Sequence, residues 1–143
     1  MPRLFVESDA PAASDFVFQH DTTNLLAFLS FGSAAAFGAA HPLSQLVRRL
    51  QTDRSLDLTP LLTFYDRNVE DTLDRTNLDA AWQEPTPLRD CVAATRAAIV
   101  ADDETRQLWQ DFPLLPVLLD ELERAAATVE SASARIRITF TLD

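Results

Sequence analysis

The last nine residues, "RIRITFTLD" from Arg135 to Asp143, constrain the fold more than any other stretch. Ile136, Ile138, Phe140 and Leu142 alternate with Arg135, Arg137, Thr139 and Thr141. A period of two puts one set of side chains into a core and leaves the other in water. On that reading Ile138→Asp unfolds the domain and Thr139→Asp is tolerated. Two further β-like runs lie at the opposite end of the chain, Arg3–Glu7 and Phe16–His20, separated by the loop "SDAPAAS". The expectation is a small antiparallel sheet of about three strands, formed by both ends of one chain.

The middle reads as helix. Leu43, Leu46, Val47 and Leu50 form a short stripe. The stretch "LTPLLTFYDRNVEDTLDRT" offers Thr59 as N-cap and Pro60 at the first helical position, with Leu62, Tyr65, Val69 and Leu73 as its stripe. "PTPLRDCVAATRAAIVAD" repeats the device with Thr86 and Pro87. A short helix starts at Asp102 or Asp103, and a last one carries Leu115, Leu118, Leu119, Leu122, Ala126 and Val129. The connection "DRTNLDAAWQEPTP" is irregular, and its Trp82 is expected to plug against the body. The fold class that follows is α+β, with several helices on one face of the sheet. At 143 residues the chain fits one domain, 1–143.

The most apolar window, "LLAFLSFGSAAAFGAAHP", holds both glycines, Gly32 and Gly38. As one helix, Leu25 to Ala40 spans about 24 Å, short of a bilayer core of about 30 Å. Six of these residues are alanine, so a membrane span is disfavoured. Leu25, Leu26, Phe28, Leu29 and Phe31 point all around a helix and should be buried. The small residues from Gly32 to Ala40 suit a close helix crossing, with a subunit interface or a ligand pocket as alternatives.

Charge narrows the function. There are 22 acids and 12 bases, a formal −10, and every base is arginine. The absence of lysine removes Schiff-base chemistry and a P-loop lysine. An acidic chain is a poor fit to nucleic acid or anionic membranes. The N-terminal apolar run is too short for a signal peptide, so a cytoplasmic protein is expected. The single Cys91 lies on the stripe Leu88, Cys91, Val92, Thr95, Ile99, where it reads as a small buried hydrophobe.

No cofactor motif is present. His20 and His41, separated by the apolar window, are read as a strand-end and a pre-proline surface histidine rather than metal ligands. Asp66, Glu70 and Asp74, with Asp71 beside them, fall at helical spacing and are weak candidates for a divalent cation. Arg67 and Arg75 can neutralise them instead. The densest acidic window is Asp102 to Glu123, with Asp102, Asp103, Glu104, Asp111, Asp120, Glu121 and Glu123 against Arg106 alone. Leu108, Trp109 and Phe112 could form an apolar centre within it. The reading that follows is a non-enzymatic interaction domain, of inhibitor, immunity or adaptor type, binding a basic protein partner. Its expected contacts are Asp102, Asp103, Glu104, Asp111, Trp109 and Phe112, and self-association through Gly32–Ala40 is a further option. The alternative is a small-molecule binder or metal-dependent hydrolase using a Phe-lined pocket or the Asp66/Glu70/Asp74 helix face.

Overall fold

A computed structural model of the protein describes residues 2–10, 16–33 and 41–142. In chain order the elements are β1 (Arg3–Ser8), α1 (Thr23–Ser33), α2 (Pro42–Thr52), β2 (Phe64–Asp66), α3 (Thr72–Ala80), α4 (Pro85–Ile99), α5 (Asp103–Trp109), α6 (Leu115–Ser131) and β3 (Ile136–Thr141). The α+β class is as read from the sequence. The chain's two ends meet in the sheet, since β1 and β3 pair antiparallel from Arg3↔Thr141 to Ser8↔Ile136.

The third strand is not the expected one. Phe16–His20 contributes only an isolated bridge, Phe16 to Val6. The position is taken by β2, which pairs parallel with β3 and makes the sheet mixed, in the order β1-β3-β2. The helix expected from Pro60 therefore does not form. Asp57 accepts from the Thr59 N–H and hydroxyl, which closes a turn, and Leu58 and Leu61 drop into the core. The β-formers Phe64 and Tyr65 then extend alongside Ile138 and Thr139. A helix begins only at Thr72, where Asp71 and Asp74 form a reciprocal capping box. Helix α4 likewise starts two residues early. Pro85 and not Pro87 takes the first position, with Glu84 as N-cap.

The core is built from the periodic stripes. Leu43, Leu46, Val47 and Leu50 of α2 are buried, as are Leu88, Val92 and Ile99 of α4. On α6, Leu115, Leu118, Leu119, Leu122, Ala126 and Val129 all face inward. Helices α4 and α6 pack together, tied at their margins by Arg96 to Glu123 at 2.7 Å and by Arg89 to Glu130. Helix α1 buries Leu25, Leu26, Phe28 and Leu29 as expected, while Phe31, expected with them, is only half-buried. It is described as far as Ser33, and Gly38 lies outside the described residues. At Gly32 a Cβ would stand 2.8 Å from Leu62 Cδ2, the end of a flexible side chain that would have to shift. Among the described residues no helix is long and apolar enough to cross a membrane.

The supposedly wet face of β3 is covered. Thr139 is 0% exposed, and its hydroxyl donates to Glu7 Oε2 at 2.6 Å. Arg137 donates to Glu7 Oε1 at 2.6 Å and to the Leu78 carbonyl of α3 at 3.0 Å. Its guanidinium lies 4.3 Å from the centre of the Trp82 ring, so Trp82 closes over this layer as a plug. Burial pushes the Glu7 carboxyl upward. The bonds from Arg137 and Thr139, with the charges of Arg137 and Arg67, outweigh it and hold Glu7 below the usual carboxylate range. A carboxylate at position 139 would meet Glu7 in this layer, which overturns the expected tolerance of Thr139→Asp. Leu142, expected on the buried side, is exposed.

The chain has no glycine where α6 ends, and Ser133 takes the left-handed conformation there with φ 55°. The Ala134 N–H reaches the Val129 carbonyl and the Ser133 N–H that of Glu130, the two bonds of a Schellman cap.

Candidate functional site

The dense acidic window resolves into internal ion pairs. Asp102 caps α5, accepting from Thr105 N–H at 2.7 Å, and Arg54 donates to it at 2.9 Å. These bonds, the Thr105 backbone first, lower its pKa to about 2. Arg49 bonds Glu104 at 3.1 Å, and Arg106 lies 3.4 Å from Asp103. On α6, Asp120 is held by Arg124, and Glu123 by Arg96. Glu121 is only 3% exposed, accepts from Gln19 N–H at 2.7 Å and faces His20 Nδ1 at 3.4 Å. Among the described residues Asp111 alone of the seven has neither an ion pair nor a hydrogen bond. Trp109 is half-buried, its indole N–H spent on the Ile99 carbonyl at 2.8 Å. Phe112 is half-buried and tilts against His41 at 5.8 Å.

The β2–α3 connection is the reverse. Positions 66 to 79 carry Asp66, Glu70, Asp71, Asp74 and Asp79, and none of these carboxylates has an ion-pair partner among the described residues. Some fold the backbone instead. Asp66 accepts from Asn68 N–H, Asp71 from Asp74 N–H, and Asp74 from the N–H groups of Glu70 and Asp71. Asp66 lies on a strand and Asp74 in a helix, so the expected single helical line of Asp66, Glu70 and Asp74 does not exist. Of the two arginines expected to neutralise it, Arg67 turns to Glu7 at 3.4 Å and onto the Phe5 ring at 3.9 Å. Among the described residues no group of three or more histidine, cysteine or acidic side chains is placed to hold a metal ion.

Apolar side chains stand among these acids. Tyr65 is 38% exposed, Val69 39% and Leu73 65%. They are three of the seven large apolar residues left exposed among those described, and they fall within nine positions. The sequence reading had placed all three on a buried stripe. Helix α3 buries only Leu78, and β2 is an edge strand. Contiguous apolar patches rimmed by polar residues mark contact surfaces, and these three residues are neighbours in sequence among the acids.

The remaining candidates have structural partners. His41 caps α2, its Nδ1 accepting from Leu43 N–H at 3.1 Å, and its ring stacks on Phe31 at 3.8 Å. Cys91 is half-buried, donates to the Asp57 carbonyl at 3.5 Å, and has its thiol pKa raised by burial. Compared with protein-family models, curated proteins and solved structures, the chain shows no match.

Proposed function

We propose that the chain is an interaction module that docks a basic protein partner through the β2–α3 connection. The observation that carries this reading is the coincidence of Tyr65, Val69 and Leu73 at the surface with five carboxylates that no arginine neutralises. An apolar centre excludes water, and a surrounding acidic field steers a basic partner and sets its register. The α5 window serves this role less well, because a partner's cation must first displace Arg49, Arg54 or Arg106. Asp102, Asp103, Glu104, Asp111, Trp109 and Phe112 remain the second docking surface of the proposal.

The test compares two variants, each with three acids neutralised, against the partner captured from the native host. Asp66→Asn/Glu70→Gln/Asp79→Asn keeps the turn acceptor at position 66 and every backbone bond. It should slow association about tenfold at low salt, with the difference shrinking toward 0.5 M. Asp103→Asn/Glu104→Gln/Asp111→Asn should change the rate about twofold or less. The opposite ranking moves the docking surface to α5, and equal wild-type rates in both variants reject acidic docking.

A further inference from the structure

A cavity of about 510 Å3 lies between β1 and the segment that precedes α1. Its two ends are pinned. Phe16 bridges to Val6, and Leu4 N–H donates to Thr22 Oγ1 at 2.9 Å. The residues from Phe16 to Thr22 line the hollow between those points. A volume of this size lies within the usual range for small-molecule sites, roughly 300–1,000 Å3.

The lining is aromatic and cationic. Phe16 and Phe18 meet edge to face at 5.3 Å, and Phe5 lies on the wall. The Phe5 ring has two guanidiniums against it, Arg67 at 3.9 Å and Arg3 at 5.2 Å. Arg3 has no ion pair among the described residues, and Arg67 only shares Glu7, whose closer partners are Arg137 and Thr139. Asp21, the one carboxylate on the wall among the described residues, is spent on the N–H and hydroxyl of Thr23. Two cations therefore stand against one ring on the wall of an aromatic hollow, in a chain that carries −10 overall.

We infer that this cavity binds a small amphipathic monoanion, with its carboxylate or similar head on Arg3 and Arg67 and its apolar body against Phe5, Phe16 and Phe18. An apolar body is required, because the net charge of the protein repels a bare anion. The guanidinium fork suits an oxygen-bearing head group. Arg67 belongs to the β2–α3 connection and so borders the docking surface, while the other lining residues lie on β1, beside it at Pro2, or in the segment from Phe16 to Thr22.

Octanoate is the probe, titrated into the full chain at pH 7 and followed by amide chemical shifts, with 1-octanol and inorganic phosphate as controls. Octanoate should saturate with a Kd on the order of 1 mM or tighter, shifting amides of residues 3–6 and 16–22. Both controls should bind at least about fivefold more weakly. Arg3 is exposed, so Arg3→Gln keeps the fold and should weaken octanoate about fivefold. Absence of saturable shifts below about 10 mM overturns the proposal. So do shifts confined to other elements, 1-octanol binding as tightly as octanoate, or an Arg3→Gln variant with wild-type affinity.

Discussion

Helices α6 and α3 both carry several acids, yet they sit in the molecule in opposite ways. Helix α6 buries eight of its seventeen residues and α3 one of nine. The acids of α6 are answered by Arg96, Arg124 and Arg89, or buried with a backbone donor in the case of Glu121. On α3 and its cap, Asp74 and Asp71 are answered by backbone N–H groups alone, and Asp79 has neither a hydrogen bond nor an ion pair among the described residues. The first helix is held by what lies beneath it, the second mainly by its own cap. Stability is concentrated in one region, and unsatisfied surface chemistry in the other.

The contrast can be broken most severely at the covered face of β3. Thr139→Asp should abolish the cooperative melt, as should Ile138→Asp, because a carboxylate enters a covered site next to Glu7. A melting temperature within a few degrees of wild type would show that this face is wet after all. Next in size is a matched pair of truncations. Leu119→Ala on α6 should cost about 2–5 kcal/mol in chemical denaturation. Leu73→Ala on α3 should stay within about 0.5 kcal/mol.

Capping gives a finer comparison. Asp71→Ala should cost about 1 kcal/mol, and amide exchange should rise within α3 while α6 is unaffected. Asp102 caps α5 and has a folded pKa of about 2, below its ordinary value. Its contribution is therefore complete above the unfolded pKa of about 4 and is lost as pH falls toward about 2. Asp102→Ala should flatten the stability profile over that interval, and an unchanged slope would refute the assignment. The smallest effect is expected at the end of α6. Ser133→Gly relieves a left-handed serine and should raise stability by less than about 1 kcal/mol.

How much of this was legible in the sequence follows the same division. The stripe from Leu115 to Val129 and the alternation from Ile136 to Phe140 repeat often enough to announce their elements. Strand β2 has three residues, too few to show a period, and its parallel partner lies more than seventy positions away. The capping box of Asp71 and Asp74 was present in the letters, but Thr59-Pro60 offered a competing start that looked equally good. Proline at both 85 and 87 left the start of α4 ambiguous by two residues. The charge map was misread for a different reason. Arg49 and Glu104 are 55 positions apart, so counting acids along the chain could not reveal which were already neutralised. The exposure of Tyr65, Val69 and Leu73 followed from the missed strand, since a helix there would have buried them.

The antiparallel register of β1 and β3 also fixes how the molecule responds to force. Arg3 lies opposite Thr141, so the chain leaves both strands at the same end of the sheet. Tension applied through Pro2 and Leu142 would act across the ladder and load its hydrogen bonds one after another, starting with the outermost pair. Such a ladder opens like a zipper, at far lower tension than one sheared along its length. Held by its ends between two larger bodies, the domain would be a mechanically weak link despite its well-packed helices.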